Sequence, residues 1–348
     1  MRFFAGSAII NAMNGKCKIG IIGLGLIGGS IAIALKGNYT VVGCSRAPET
    51  VAYALENNII HEAAYSYEQL FGCKVVFVCT PLHLVKSTVE EVGRVLGDSA
   101  IITDVGSVKG MLAGVGGRII GGHPMAGTEQ HGIASAKARL LENAYYILCD
   151  YSGNAGDLET VRGIVADMGA QPITMTADDH DRLVSKISHL PHMLAYSLVA
   201  SALDGDETIV GSGFTDTTRI ASSPPEFWNT VSRLNRENLI ADMEKYLGVF
   251  TRLLGDIKDG KDITEFLQEA KDKRDGLTAA KRYMTEYVLY TDVLDRVGSI
   301  ASIVVKLSDA GISIDNLQVI NSREGAGGAL RLEFKDEIGY TKAKEILK

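Results

Sequence analysis

The chain has 348 residues, 46% of them apolar, and a formal net charge of −7. That length exceeds a single ordinary core, and such an apolar share with only 7 prolines excludes an extensively disordered protein. The negative balance, without any lysine- or arginine-rich run, argues against nucleic-acid binding, so an anionic ligand needs cations placed locally.

No apolar run reaches the roughly 20 residues that span a bilayer, so no membrane partner is expected. Cys17, Cys44, Cys73, Cys79 and Cys149 lack paired or metal-ligand spacing. Free thiols in a reducing, cytoplasmic setting and no metal site are expected. Residues 1–17 read as an N-terminal tail. Arg2, Phe3-Phe4 and Ala8-Ile9-Ile10 faintly resemble a secretory signal, but no small-residue cleavage site follows, and a start at Met13 is a second reading.

Lys18 to Gly23 is a short apolar run, Gly23-Leu24-Gly25-Leu26-Ile27-Gly28 follows at once, and Ser30 to Leu35 reads as a helix. In a strand, turn, helix setting the first glycine permits the turn, the second lets backbone approach a pyrophosphate, and the third lets helix and strand pack closely. Gly23, Gly25, Leu26, Ile27 and Gly28 are therefore candidate dinucleotide contacts. Tyr39 to Gly43 is the next strand, where an acid would bond the ribose hydroxyl of NAD; this chain has Ser45-Arg46 instead. A hydroxyl and a guanidinium favour the 2′-phosphate of NADP, with NAD retained if Glu49 reaches the ribose.

Lys74 to Cys79 is a strand ending in Thr80-Pro81, two more candidate cofactor residues; Val85 to Val95 is helical and Ala100 to Thr103 a strand. Ile119-Ile120 leads into an expected Gly121-Gly122 turn, and Tyr145 to Cys149 is a later strand. This α/β alternation predicts a Rossmann-type doubly wound, mostly parallel sheet over residues 18–173. Ligands on such sheets bind at the carboxyl ends of the strands, where the Asp104 to Lys109 and Gly122-His123-Pro124 loops fall.

After Asp178 helical periodicity takes over, through Leu183 to Leu203 and Phe227 to Leu254, with Gly205, Gly211-Ser212-Gly213 and Pro224-Pro225 as punctuation. Residues 174–283 are expected to form a mainly helical domain, and analogy with other domains that follow a Rossmann domain implies that it supplies part of the substrate site and the dimer contact. From Tyr287 the order reads strand, helix, strand, strand, helix, giving a small α+β domain over 284–348. That order, with Asp295-Arg296-Val297-Gly298 and Asp309-Ala310-Gly311-Ile312 at its turns, resembles an ACT regulatory domain. Val297 stands where proline is usual, and the chain ends before the last strand of that fold, so an unpaired sheet edge is expected unless a second subunit covers it.

His123, between two glycines and a proline, can present its imidazole as a general base; the competing reading is a histidine bonded to a loop carbonyl. Ser107 either caps a helix or offers its hydroxyl to the substrate. His189 and His192 share a helix face with Pro191 disturbing the helix between them, and either contact substrate or belong to the core. His180, in Asp178-Asp179-His180-Asp181, reads equally as a solvated first helical turn. Arg219 lies in a polar run between helices, where its fork fits a carboxylate or pairs with Asp216.

Gly23 to Ser30, Asp104 to Lys109, Gly122 to Glu129, Ser188 to His192 and Phe214 to Ala221 occur in the order and spacing of the prephenate dehydrogenase family, which the chain resembles over about residues 18 to 280. The resemblance implies oxidative decarboxylation of prephenate to 4-hydroxyphenylpyruvate with NADP or NAD, in tyrosine biosynthesis. It assigns His123 as base, Ser107 as its partner, and Arg219, His189, Thr128 and Glu129 to the substrate. It further implies a homodimer and tyrosine as a feedback ligand. Thr215 departs from members with lysine there, which leaves open how the second carboxylate is held. Two alternatives stand: an arogenate dehydrogenase producing tyrosine directly, and a non-catalytic NADP and amino-acid sensor.

Overall fold

The computed structural model describes residues 16–127, 130–203, 209–282, 287–294, 296–321 and 327–347. Thr128, Glu129, Gly205, Asp295, the stretch through Met13 and the expected domain boundary near 283 lie outside the described residues. Two compact units are present, Met1–Gly248 and Val249–Lys348.

The first unit contains strands β1 (Lys18–Ile22), β2 (Thr40–Cys44), β3 (Glu62–Ala64), β4 (Cys73–Val78), β5 (Ile101–Asp104), β6 (Ile119–Pro124), β7 (Tyr145–Asp150) and β8 (Gln171–Thr174). They form one eight-stranded sheet in the order β3-β2-β1-β4-β5-β6-β7-β8. Every neighbouring pair is parallel except β6 with β7. Central strands read as continuous apolar runs because both faces are covered: β4 buries Val75, Val76, Phe77 and Val78 completely. Helices α1 (Leu26–Leu35), α2 (Pro48–Glu56) and α4 (Ala155–Asp167) contribute to the core on one face. On the other face α3 (Leu82–Leu96) buries Leu82, Val85, Val89, Val92 and Leu96, a helical stripe. The Rossmann-type sheet expected from the α/β alternation is therefore present.

The expected Gly121-Gly122 turn is corrected: β6 runs through both glycines and His123 to Pro124, paired with β7. The glycines serve packing within the strand. A Cβ on Gly122 would lie 2.5 Å from the Asp104 carbonyl oxygen and 2.9 Å from the Tyr146 ring, and one on Gly121 2.8 Å from the Tyr151 ring.

Helix α5 (Ala177–Val184) continues through a π-helical turn, Ser185–His189, into α6 (Leu190–Ala202). Pro191 does not end the helix. It follows directly on the π turn, whose wider winding accommodates a residue without an N–H. After α7 (Ser212–Thr218) come α8 (Pro225–Leu234) and α9 (Arg236–Lys258), so the helical periodicity over Phe227 to Leu254 belongs to two helices that meet at Asn235. No described helix is long and apolar enough to cross a membrane.

The second unit holds the end of α9, then α10 (Thr264–Arg282) and a three-stranded antiparallel sheet of β9 (Val288–Leu294), β10 (Asn316–Asn321) and β11 (Gly327–Glu333), ordered β10-β11-β9. Helices α11 (Ser299–Asp309) and α12 (Glu337–Ile346) complete the order read from the sequence, and Leu307, Leu330, Leu332 and Ala343 form its core.

Candidate active site

Strands β2, β1, β4, β5 and β6 are neighbours and all parallel, so their carboxyl ends share one edge. Along it stand Ser45 and Arg46, the glycine turn, Thr80 and Pro81, Ser107, and His123. The switch in strand order falls between β1 and β4, where Cys79 N–H donates to Ile22 O at 2.7 Å, while on the other side of β1 Gly23 N–H donates to Cys44 O at the end of β2 at 2.8 Å.

Each glycine of the turn has its own reason. Gly23 has φ +92°, and a Cβ there would sit 2.5 Å from the Cys79 carbonyl oxygen. A Cβ on Gly28 would lie 2.0 Å from Gly23 O, whereas one on Gly25 would meet no atom within 4 Å. Gly25 thus opens onto free space at the start of α1, which has no side-chain cap and leaves its first N–H groups for an anion. Leu26 and Ile27 form that first turn. The Thr80 hydroxyl is buried without a partner at the next strand end. An open cradle, uncapped N–H groups and an orphaned hydroxyl fit a dinucleotide. Arg46 is exposed just past β2, and the half-buried Ser45 accepts the Ala47 N–H at 3.3 Å; Glu49 is exposed on α2.

His123 is tied to two other segments. Its Nδ1 lies 2.8 Å from Nε2 of His180, whose Nδ1 lies 2.7 Å from Asp181 Oδ1. His180 is fully buried and Asp181 5% exposed, so the expectation of a solvated turn at His180 is corrected: α5 turns this face onto the sheet edge. The Asp181 carboxylate also accepts the backbone N–H groups of Lys109 and Gly110, each at 2.7 Å. Burial pushes the Asp181 carboxyl up, but the hydrogen bonds from His180, Lys109 and Gly110 outweigh it and hold the group below its usual range. The His123 imidazole is pushed well below its ordinary value, by desolvation first and then by His180, Lys109 and His189. It is a neutral ring at neutral pH, ready to accept a proton.

Beneath it, the fully buried Lys109 ammonium donates to Asp104 Oδ2 and to Gly122 O, both at 2.5 Å. Asp104 Oδ1 accepts Gly122 N–H at 3.0 Å, and Tyr151 donates to Lys109 O at 2.6 Å. The loop after β5 and the His123 strand are thereby locked together. Ser107 lies half-buried in that loop.

From the π turn, the buried His189 accepts Asn235 Nδ2 at 3.1 Å through Nδ1, while its Nε2 is buried with no partner. Burial is the main cause that holds His189 down to about 4. His192 stacks on Trp228 with ring centroids 3.5 Å apart, and Trp228 meets His189 edge-on. The two histidines do share a face, and it is an aromatic one. Arg219 is exposed at the end of α7, in a 3-10 turn Arg219–Ser222, near enough to lower His192 electrostatically. Thr215 is exposed on α7. Among the described residues no cluster suited to a metal ion occurs, and the five cysteines are free.

A family model described as "Prephenate dehydrogenase, nucleotide-binding domain" matches residues 31–174, and one described as "Prephenate dehydrogenase, dimerization domain" matches residues 176–270. Prephenate dehydrogenase of Bacillus subtilis is 32% identical over an alignment covering 95% of this chain and 96% of the relative. The chain belongs to the prephenate dehydrogenase family.

Solved structures in and beside this family agree. Synechocystis arogenate dehydrogenase is 32% identical with a TM-score of 0.68, covering 75% of this chain and 99% of that one. Prephenate dehydrogenase from A. aeolicus, in complex with hydroxyphenyl propionate and NAD+, is 28% identical with a TM-score of 0.70, covering 77% and 100%. Within this prephenate dehydrogenase family member, sequence reasoning singled out His123 and the cradle but missed Lys109, His180, Asp181, Asn235 and Trp228 as parts of one cluster. The acidic run before His180 and the lone tryptophan were the available signals.

Proposed function

We propose that this chain catalyses oxidative decarboxylation of prephenate to 4-hydroxyphenylpyruvate, with a nicotinamide dinucleotide as acceptor. The observation that carries the reading is a desolvated, neutral His123 on the strand edge that also bears the glycine cradle. When bound, the nicotinamide supplies the hydride-accepting carbon. His123 takes the proton of the substrate's ring hydroxyl through its Nε2, the nitrogen that His180 leaves free, as hydride departs from the same carbon. Carbonyl character then draws electrons through the ring, and the ring carboxylate leaves as carbon dioxide. Aromatisation drives the step, so the residues have mainly to position and deprotonate.

By the same reading Arg219 binds a substrate carboxylate, His189 offers its orphaned Nε2 to the substrate, Ser107 orients His123 or the hydroxyl, and Thr128 and Glu129 are assigned to substrate binding by the family resemblance alone. Gly23, Gly25, Leu26, Ile27 and Gly28 hold the pyrophosphate, with Thr80 and Pro81 as further cofactor contacts. Ser45 and Arg46 favour NADP over NAD, since a guanidinium pairs with a 2′-phosphate. A homodimer through residues 174–283, feedback by tyrosine at the ACT-like 284–348 segment, and a cytoplasmic setting complete the proposal.

A second reading is supported by the Synechocystis relative: arogenate as substrate and tyrosine as product. Initial rates of NAD(P)H formation with prephenate and arogenate, each with NAD and NADP, decide between them. Turnover with prephenate is expected, fastest with NADP. Activity with arogenate alone moves the chain to the sister reaction, and silence in all four refutes catalysis of either.

A further inference from the structure

His180 and Asp181 lie 57 and 58 positions after His123, and nothing in the chemistry of hydride transfer by itself requires them. Their hydrogen-bond chain nevertheless determines which nitrogen of His123 carries a proton. Asp181 accepts two backbone N–H groups, Lys109 N at Oδ1 and Gly110 N at Oδ2, and His180 Nδ1 lies 2.7 Å from Oδ1. A protonated carboxyl would set an O–H against a backbone N–H, so the group is a carboxylate and only accepts. His180 must then carry its proton on Nδ1. A neutral His180 has its lone pair on Nε2, and the 2.8 Å contact requires His123 to donate from Nδ1. The lone pair of His123 is left on Nε2. The rings meet at 66° with centroids 5.1 Å apart, the arrangement of a hydrogen bond and not of a stack.

We propose that Asp181 and His180 are positioning residues that hold His123 in its Nδ1–H tautomer and carry away the charge it acquires, forming a two-histidine relay. The inference rests on the oxidative decarboxylation reading for its substrate, but the tautomers do not. The proton of the substrate hydroxyl goes to His123 Nε2. The Nδ1 proton of His123 passes to His180 Nε2, which leaves His123 neutral and His180 an imidazolium; Asp181 remains a carboxylate throughout. Proton and charge balance, and no further reactant is needed.

The surroundings favour this direction. The titratable groups facing His123 are His180 from α5, Lys109 from the loop after β5, and His189 from the π turn; burial and the Lys109 ammonium disfavour a cation on the first ring. On the second ring the cation is beside Asp181. His180 is fully buried, so water does not compete for its two nitrogens. A simple structural tie between α5 and β6 would need an acceptor for His123 but not an imidazole.

The test uses the full chain labelled with 15N-histidine, which has seven histidines to resolve. Long-range proton–nitrogen spectra of the unmodified protein at neutral pH are expected to show His123 and His180 both as Nδ1–H tautomers, assigned by loss of signals in His123→Asn and His180→Gln. An Nε2–H tautomer at His123 overturns the relay whatever the substrate. Glutamine at 180 can still accept from His123 and donate to Asp181 but cannot take the proton. His180→Gln is therefore expected to lower kcat by about tenfold or more with KM within about threefold. A kcat within twofold of the parent, with Trp228 fluorescence showing an intact fold, reduces the pair to a structural tie and overturns the proposal. Correct tautomers in a protein silent toward prephenate and arogenate would instead refute the reaction reading and the catalytic role of the relay, leaving the hydrogen-bond chain itself established.

Discussion

Replacing Lys109 with methionine tests whether a buried ammonium holds the base-bearing strand in place. Methionine keeps most of the volume but removes the donor to Asp104 Oδ2 and to Gly122 O. Asp104 is left with two backbone donors, Gly106 N–H at 2.7 Å and Gly122 N–H at 3.0 Å, and no cation. Both partners are 0% exposed, so solvent does not repay the lost charge. Breaking such a pair costs about 3–5 kcal/mol. For a unit of this size about 1 kcal/mol moves the melting temperature by about 2–4 °C, which gives a fall of about 6–20 °C. The chain has one tryptophan, Trp228, buried in the first unit, so a thermal melt followed by its fluorescence reads the relevant transition. Lys18→Met is the control. Its ion pair with Glu62 is 42% and 46% exposed, and surface pairs contribute about 0–1 kcal/mol, so its melt should move by no more than about 4 °C. If Lys109→Met melts within the range of the control, the buried ammonium is not what secures the strand and the reasoning fails.

Three further outcomes are expected. His123→Asn should lower kcat by about 10² to 10⁴ with little change in substrate affinity, and an unchanged kcat removes His123 from the base role. Gly25→Val should leave the melting temperature nearly unchanged, because its side chain enters open space, while weakening NADPH binding by about tenfold or more in a fluorescence titration; unaltered binding would move the pyrophosphate elsewhere. His189 is held down to about 4 in the folded chain against 6.5 ordinarily, so the unfolded state binds more protons between those values. Its contribution is complete above pH 6.5 and is lost as pH falls toward 4, on the order of 3 kcal/mol. Melts from pH 7.5 to 4.5 should therefore fall more steeply in the parent than in His189→Asn, and equal slopes would show that His189 is not the group concerned.

The Rossmann-type sheet was legible because its cues are local. A buried parallel strand reads as an apolar run, and a glycine pattern at the turn meets steric demands set by atoms of the adjoining strand. His123 drew attention for a similar reason, standing between two glycines and a proline. The same local reading misjudged how those glycines act: alone, Gly121-Gly122 reads as a turn, and only the nearness of Tyr146, Tyr151 and the Asp104 backbone shows why a strand needs them. Likewise the sequence shows that Pro191 disturbs the helix, and only the structure shows the π turn that precedes it.

Local order along the chain was enough for the sheet and the family, since each is carried by a series of short segments that can be read one at a time. The environment of the base was not accessible in that way. His180 is 57 residues from His123 and Asn235 is 46 from His189, and no pattern of hydropathy or spacing encodes which side chains meet across such gaps. Packing α5, the π turn and α8 against the sheet edge brought an acid, three histidines and a tryptophan together. Burial there, more than the identity of any one residue, keeps His123 neutral, because desolvation acts on a group only once its neighbours have excluded water.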